Sequence, residues 1–317
     1  MNIYIAPLLS LVITLAVMPA AIPILRRLKF GQSIREVGPS WHKKKSGTPT
    51  MGGAVMFLAV LTAMLIFSEE IDYTAWFALF CALSFGVIGF IDDFIKVILK
   101  RNLGLRAWEK TALQIIAALV FIFGGLNVGV LSTSVIIPFT ELVVDFSWLY
   151  IPFALFVMLG VVNSVNLTDG VDGLASSVTV VVIVFFGLSG TSLTSPVAVF
   201  CYTIAGALLG FLVFNKYPAR VFMGDTGSLF LGGAVVAAAL LQSNPLILAI
   251  VGIIYIAEAL SVIIQVASFK LTGKRVFKMS PLHHHFEMCG WSEVKIVSVF
   301  TAVTLIAAIV SYFARTI

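Results

Sequence analysis

Long apolar segments recur along almost the whole chain, and they limit the possible folds more than any other feature. A helix of about 20 mostly apolar residues can cross a bilayer. Ten segments are candidate spans, and they lie near residues 3–25, 51–68, 72–91, 111–126, 147–162, 174–190, 195–213, 227–243, 246–269 and 294–314. The hydrophobic share is 60% and the charged share is 11%, which is about half that of a typical soluble domain. The sequence therefore predicts an all-α polytopic membrane protein in which residues 1–317 form a single domain.

The positions of lysine and arginine predict how these spans are oriented. If the N-terminus lies outside, every lysine and arginine except Arg315 falls in an inner loop. Because cytoplasmic loops are enriched in these residues, both chain termini are predicted to lie outside. The basic residues lie in loops between spans, so they do not indicate binding to nucleic acid. The outer segment 127–146 is rich in Val, Ile and Thr and is predicted to form a small β-hairpin.

Five of the seven aspartates lie in three short polar breaks on the predicted inner side. They are Asp92, Asp93, Asp169, Asp172 and Asp225. Carboxylates near hydrocarbon are costly, so residues of this kind are candidates for a functional site. Together with the lysines of the same side, they suggest a metal-dependent site for phosphate chemistry. For Asp92 and Asp93, the alternative is a solvated helix end with an ion pair to Lys96.

The segment 163–173 is more polar than a simple turn between spans requires. Four of its side chains recur at intervals of three residues, which would place them on one face of a helix. They are Asn163, Asn166, Asp169 and Asp172. Gly170 permits close approach of the backbone to a ligand, whereas the alternative for the whole segment is a capped turn. For Asp225, the alternatives are binding of metal or phosphate and capping of the eighth span.

Two further polar segments carry candidate residues. Residues 283–285 are three consecutive histidines, which could bind a transition metal, contact phosphate or form a structural loop. No cysteine pair or spaced histidine completes a zinc site around them. Lys45 ends a run of three lysines, and the Gly-Thr-Pro-Thr turn that follows would hold it in a defined place. The alternative for these lysines is a contact with anionic lipid.

Taken together, these segments closely resemble the phospho-N-acetylmuramoyl-pentapeptide transferase family, within the polyprenyl-phosphate N-acetylhexosamine-1-phosphate transferase superfamily. Each segment alone is weak evidence, but five of them in the same order are specific. The three histidines point to the muramoyl-pentapeptide branch of the superfamily. The matching segments are 45–53, 92–93, 163–173, Asn215 with 222–228, and 281–287.

The resemblance implies a reaction and its surroundings. UDP-N-acetylmuramoyl-pentapeptide would donate its phospho-sugar to undecaprenyl phosphate, giving lipid I and UMP in peptidoglycan synthesis. The site would lie on the cytoplasmic face of the bacterial cell membrane, in a ten-span subunit of a homodimer that requires Mg²⁺. Because two anions must approach each other, Mg²⁺ and lysines would offset the repulsion and stabilise the developing charge.

The resemblance also implies residue roles. Asp225 would be a ligand of Mg²⁺, Asp92 the base that deprotonates the lipid phosphate, and Asp93 a group that positions the phosphate or the ion. An alternative makes one of these aspartates a nucleophile that forms a covalent intermediate. The other catalytic candidates are Lys45, His283 and His284. The candidates for substrate binding are Thr50, Lys96, Asn163, Asn166, Asp169, Gly170, Asp172, Asn215, Phe222 and His285, with Lys110 as a weaker one.

Two other functions stay open from the sequence. One is a sister transferase that uses UDP-N-acetylglucosamine, and the other is a transporter or lipid flippase. Transporters place ionisable residues near the middle of the bilayer, whereas the aspartates here gather on one side, which favours catalysis at the surface. The ninth span, residues 245–270, is predicted to form one wall of an apolar groove for the prenyl chain. Glu258 within it is predicted to face the protein interior, because an acid is costly in lipid.

Overall fold

The computed structural model describes residues 5–28, 47–97, 104–190 and 192–315, so the predicted site residue Lys45 lies outside the described residues. Two short strands, β1 (Ser134–Ile136) and β2 (Val143–Asp145), accompany twelve helices in these ranges. The helices are α1 (Ile5–Arg27), α2 (Gly53–Ile66), α3 (Tyr73–Val97), α4 (Ala107–Val128), α5 (Tyr150–Thr168), α6 (Leu174–Ser189), α7 (Pro196–Asn215), α8 (Gly224–Leu241), α9 (Leu248–Val251), α10 (Ile253–Thr272), α11 (Leu282–Met288) and α12 (Glu293–Arg315). Single 3-10 turns lie at Ser68–Glu70, Ser147–Leu149 and Pro245–Ile247.

These helices confirm an all-α polytopic membrane fold. Eight of the described helices are long and apolar enough to cross a membrane. Two shorter apolar helices, α2 and α6, coincide with the predicted spans at 51–68 and 174–190. The count of ten spans and the outside position of both termini stay predictions.

Helix α8 forms the centre of the bundle. Every residue from 226 to 240 is buried, and most of them are small or branched apolar residues. Helix α3 crosses α8 at Gly89, where an added Cβ would meet the backbone carbonyl of Asp225. Because glycine has no side chain, the two backbones touch at this level. The contact places the polar end of α3 beside the first turn of α8.

The predicted ninth span, 246–269, is not one continuous helix. The 3-10 turn and α9 precede Gly252, and α10 begins at the next residue. Gly252 has φ −91° and ψ 20°, which lies outside the α-helical region. The long apolar helix of this segment is therefore α10, which extends past the predicted end to Thr272.

The predicted β-hairpin is present. Strands β1 and β2 are antiparallel, with Ser134 opposite Asp145 and Ile136 opposite Val143. The N–H group of Ile136 donates a hydrogen bond to the carbonyl of Ser243, just beyond the end of α8. Since Asp225 lies in the first turn of α8, the hairpin and Asp225 are at opposite ends of the bundle, roughly 25 Å apart along the helix axis.

A short backbone bridge joins the residues before α2 to those before α8. The N–H group of Phe222 donates to the carbonyl of Pro49 at 2.8 Å, and the N–H group of Gly52 donates to the carbonyl of Phe222 at 2.9 Å. Thr50, between them, is buried. The bridge brings the first and fourth matching segments together beside the first turn of α8.

Candidate active site

The centre of the site is the carboxylate of Asp225. Its Oδ2 atom accepts hydrogen bonds from Nζ of Lys96 at 2.8 Å and from Nζ of Lys110 at 2.7 Å. Its Oδ1 atom accepts one from the side-chain amide of Asn166 at 3.0 Å. The three donors belong to α3, α4 and α5, so four helices meet at this carboxylate. The N-terminal turn of α8 adds a partial positive charge that also favours the anion.

The carboxylate of Asp92 shares the same lysines. Nζ of Lys96 lies 2.6 Å from Asp92 Oδ2, and Nζ of Lys110 lies 3.7 Å from it. Asp92 Oδ1 accepts a hydrogen bond from the N–H group of Leu105 at 2.7 Å. The side chain of Asp92 is 3% exposed and that of Asp225 is 19% exposed. The ion pair with Lys96 that the alternative includes is therefore present, but Asp92 is buried rather than solvated, and Asp225 is the more accessible carboxylate of the pair.

The carboxylate of Asp93 holds the first turn of α8. It accepts hydrogen bonds from the N–H groups of Asp225 and Thr226, at 3.2 and 2.9 Å, and from Oγ1 of Thr226 at 2.7 Å. These N–H groups belong to the helix start, where intrahelical acceptors are lacking. Asp93 rather than Asp225 thus caps α8, and the capping alternative for Asp225 is wrong. Asp93 therefore holds the backbone of the turn that carries Asp225.

The polar segment 163–173 is helical only in its first half. Helix α5 includes Asn163 and Asn166 and ends at Thr168. Asn166 donates to Asp225 and also to Oγ of Ser228 at 2.8 Å. Asn163 lies one turn away, where its amide pairs with Gln114 at 2.9 and 3.3 Å. Only Asn166 of the two therefore contacts the aspartate cluster directly.

Two predicted nucleotide-binding residues shape the loop between α7 and α8. Asp172 Oδ2 accepts a hydrogen bond from the N–H group of Ala219 at 2.9 Å. The amide of Asn215 donates to the carbonyl of Val221 at 3.0 Å and accepts from Oγ of Ser176 at 2.9 Å. Both side chains are buried. In the described contacts they fix the loop that leads to the half-buried Phe222.

Asp169 differs from these neighbours. It follows the last residue of α5 and is half-buried, and no side chain or backbone group of the described residues donates a hydrogen bond to its carboxylate. Burial, followed by the negative charges of Asp225, Asp93 and Asp172, raises the pKa of Asp169 to about 7. The carboxyl group is therefore divided between its protonated and ionised forms near neutral pH.

The three histidines lie on helix α11 and have separate partners. Nδ1 of His283 lies 3.1 Å from Oε2 of the buried Glu258, which confirms that Glu258 faces the protein interior. Nδ1 of His284 lies 2.6 Å from Oε2 of Glu287. Nδ1 of His285 accepts a hydrogen bond from the N–H group of Lys278 at 3.1 Å.

Contacts at two glycines join the outer segments to the cluster. An added Cβ at Gly170 would meet Nε2 of His283, so the histidine helix touches the 163–173 segment there. An added Cβ at Gly224 would lie 2.6 Å from Asp93 Oδ2 and 2.9 Å from Oγ1 of Thr50. Within the described residues, all five matching segments therefore converge on one end of the bundle.

Comparison with known proteins identifies the family of the chain. Residues 75–243 match the profile of glycosyl transferase family 4. The phospho-N-acetylmuramoyl-pentapeptide-transferase of Caldanaerobacter subterraneus subsp. tengcongensis is 54% identical, over 98% of this chain and 98% of that relative. The chain belongs to the phospho-N-acetylmuramoyl-pentapeptide transferase family. Members from Clostridium botulinum strain Alaska E43 and Halalkalibacterium halodurans are 50% and 49% identical, over 98% and 96% of this chain and 95% of each relative.

The carboxylate oxygens of Asp225 and Asp92 are of the kind that a hard divalent cation prefers. Mg²⁺ prefers oxygen ligands and needs only one or two protein carboxylates, with water and phosphate oxygens in the other positions. Asp225 and Asp92 supply two carboxylates that share Lys96, and Asp225 is the accessible one. No three His, Cys, Asp or Glu side chains of the described residues gather into a complete metal cage. The donor set therefore suits an ion that is bound together with phosphate.

Two members of the cluster carry little signal in the sequence. Lys110 contacts Asp225 as closely as Lys96 does, although the sequence ranks it as a weaker candidate. Gln114 lies one helical turn after Lys110 and pairs with Asn163, and the sequence does not indicate it at all. The spacing of Lys110 and Gln114 by four residues at the start of an apolar helix is the signal that could have indicated both.

Proposed function

We propose that this chain transfers phospho-N-acetylmuramoyl-pentapeptide from its UDP-linked donor to undecaprenyl phosphate, giving lipid I and UMP in peptidoglycan synthesis. The observation that carries the proposal is the meeting of Asp92, Asp225, Lys96 and Lys110 at one end of the bundle. Identity of about one half over the full chain with transferases of this name supports the substrate assignment.

The proposed reaction joins two phosphate groups, and the cluster supplies what that requires. Two ammonium groups lie within 2.8 Å of one Asp225 oxygen, and this positive charge supports binding of a diphosphate at the cluster. Such fixed charge stabilises the negative charge that develops in the transition state. Asp92, held by Lys96 and by the N–H group of Leu105, is the proposed base for the lipid phosphate. The second pKa of a phosphate monoester is near 6, so this proton transfer contributes modestly at neutral pH.

Asp225 is the proposed Mg²⁺ ligand. When bound, the ion would neutralise the diphosphate and favour departure of UMP. Asp93 and Asn166 hold the Asp225 backbone and carboxylate in place, so that the carboxylate need not reorient. Asp169, Gly170, Asp172, Asn215 and Phe222 are proposed to form the nucleotide side of the site.

The position in the membrane is part of the same proposal. Arg26 and Arg27 end α1, and Lys96 and Lys110 lie at the cluster, which supports a cytoplasmic active site under the positive-inside rule.

Helix α10 exposes Leu260, Ile263 and Phe269, which supports its role as one wall of the prenyl groove. Crosslinking with a photoreactive prenyl phosphate tests this wall, and labelling confined to other helices would contradict it. A homodimer is also proposed.

The deciding experiment is UMP release by the purified protein with undecaprenyl phosphate and Mg²⁺. UDP-N-acetylmuramoyl-pentapeptide and UDP-N-acetylglucosamine are compared as donors, with a chelator as the metal control. Turnover with the first donor alone is expected. Turnover with the second would assign the chain to the sister reaction. Release with neither, by a folded preparation, would favour the transporter or flippase alternative, and turnover in excess chelator would remove Mg²⁺ from the proposal.

A further inference from the structure

Glu258 is a carboxylate that the proposed reaction does not use. It lies in the membrane-spanning helix α10 and is 0% exposed. Its Oε1 and Oε2 atoms lie 3.2 and 3.4 Å from the backbone nitrogen of His283, and Oε2 lies 3.1 Å from Nδ1 of the same residue. Within the described parts of the chain, these are its only side-chain hydrogen bonds. A buried acid is costly unless its hydrogen bonds are satisfied, so both oxygens depend on this one histidine.

The other ring nitrogen of His283 has no hydrogen-bond partner among the described residues. The residue is fully buried, and Nε2 makes no hydrogen bond with any described group. Nε2 is aimed at Gly170, whose missing Cβ leaves the space that the ring occupies. Gly170 follows Asp169, whose carboxylate likewise receives no hydrogen bond from the described residues. The buried Nε2 atom and the half-buried Asp169 carboxylate thus border the turn at 169–170, and neither has a hydrogen-bond partner among the described residues.

The two ring nitrogens of His283 therefore have different surroundings. A neutral imidazole carries one proton, and the hydrogen bond at one nitrogen decides which nitrogen holds it. A carboxylate accepts hydrogen bonds and has no proton to donate, so the hydrogen bond to Glu258 requires the ring proton on Nδ1. Nε2 is then left with its lone pair directed at the turn.

We propose that Glu258 is a positioning residue that holds His283 as the Nδ1–H tautomer, so that Nε2 serves as a hydrogen-bond acceptor for the nucleotide donor at the 169–170 turn. The second half of this inference rests on the proposed function. A neutral acceptor pairs with N–H and O–H groups, as a base or a ribose provides, and it repels the oxygens of a diphosphate. His283 therefore has a different role from the phosphate contact that the sequence suggests.

The competing explanation is that Glu258 only clamps α11 onto α10 through the His283 backbone. Glu258→Gln separates the two roles. The glutamine Oε1 atom can still accept from the backbone N–H group, so the clamp and the shape are kept. Its NH₂ group donates to Nδ1, which moves the ring proton to Nε2 and turns the acceptor into a donor.

Nitrogen-15 NMR of histidine-labelled protein reads the tautomer directly. The chain has only four histidines, and the His283 signals are identified by their loss in His283→Asn. At about pH 8.5, where imidazoles are neutral, we expect the Nδ1–H form in the wild type and the Nε2–H form in Glu258→Gln. A wild type in the Nε2–H form, or a variant that keeps the proton on Nδ1, would overturn the inference. If the variant does not fold, the wild-type spectrum alone tests the tautomer of His283. This measurement does not depend on turnover.

Kinetics test the functional consequence. In Glu258→Gln we expect kcat/KM for the UDP-linked donor to fall about 10- to 100-fold, as for other residues that orient a functional histidine, with KM for undecaprenyl phosphate unchanged. The matched control is Tyr255→Phe, one turn away on α10, which removes the 2.7 Å hydrogen bond to Thr179 and leaves His283 untouched. An equal loss in the control, or equal changes in KM for both substrates, would reduce Glu258 to a packing residue. A wild type without turnover would refute the proposed function but not the tautomer assignment.

Discussion

Asp225 and Asp145 each accept three hydrogen bonds, but the donors to Asp225 are distant in the chain and the donors to Asp145 are close. The donors to Asp225 are Lys96, Lys110 and Asn166, which lie 129, 115 and 59 residues away in the chain. The donors to Asp145 are Thr133 and the backbone and side chain of Ser147, which lie 12 and 2 residues away.

The two sites also differ in the charges that they bring together. At the Asp225 end, like charges of two carboxylates are brought together and two lysines offset the repulsion. That arrangement exists only when four helices have packed, so its energy depends on the whole fold. At the Asp145 end, an exposed turn satisfies its own polar groups with local donors. The first region gathers charged side chains from separate helices, and the second connects two spans through local contacts.

The largest effect is expected for Asp225→Asn. The amide keeps the shape of the side chain but loses the charge that Lys96 and Lys110 contact. We expect the turnover number to fall by about 10²- to 10³-fold or more, because one fixed electrostatic contact at a reacting group is worth that much. UMP release measures the loss, and thermal unfolding shows whether the variant stays folded. A folded variant with full turnover would contradict the role of Asp225.

Among the substitutions in the cluster that keep the shape of the side chain, Asp93→Asn should cause the largest loss of stability. The buried carboxylate accepts from two N–H groups and one hydroxyl of the first α8 turn, and an amide cannot accept all three. We expect a loss of about 1–3 kcal/mol in the free energy of unfolding. Thr226→Val, which removes only the hydroxyl donor, should lose less. Equal melting temperatures for Asp93→Asn and the wild type would show that the cap contributes little.

Lys110→Met tests whether both lysines of the cluster act in the reaction. The Lys110 side chain is 18% exposed and that of Lys96 is 34% exposed, so water screens Lys110 less. We expect each substitution to lower turnover by about 10- to 100-fold, with Lys110→Met at least as impaired as Lys96→Met. The exposed Lys216, replaced in the same way, serves as the control. A Lys110 variant that resembles this control would restrict the site to Lys96.

These two regions also explain what the sequence predicts and what it leaves out. Hydropathy, lysine positions and β-branched residues predict the spans and the hairpin, because these depend on neighbours in the chain. The polar segments predict which residues matter, but not their partners. Nothing local indicates that Asp93 would cap α8 while Asp225 receives two lysines, or that Gln114 would pair with Asn163. The Asp93 cap follows from the crossing of α3 and α8 at Gly89, whereas the contacts of Lys110 and Gln114 follow from the packing of α4 beside α8 and α5.

Asp169→Asn should change how the free energy of unfolding depends on pH. The folded protein holds the Asp169 proton up to about pH 7, whereas an unfolded aspartate releases it near pH 4. Between these values the folded state binds more protons, so this group lowers stability as pH rises, and its effect is complete above pH 7. Asparagine imitates the neutral acid. We expect the variant to match the wild type near pH 4 and to exceed it by about 1 kcal/mol at pH 8, because partial exposure screens the charge. A constant difference between the two would contradict the raised pKa.

The smallest effect is expected at the other end, for Asp145→Asn. Hydrogen bonds from Thr133, and then from the backbone and side chain of Ser147, lower the pKa of this exposed carboxyl group. Its contribution is therefore present above the pKa of an unfolded aspartate and is lost as the pH falls. At neutral pH we expect unchanged turnover and melting temperature, with faster hydrogen exchange at the Ser147 amide as the only change. The hairpin also contacts the end of α8 through the hydrogen bond between Ile136 and Ser243. A loss of turnover would therefore mean that a change at the hairpin is transmitted along α8 to Asp225. The two ends of the bundle would then depend on each other.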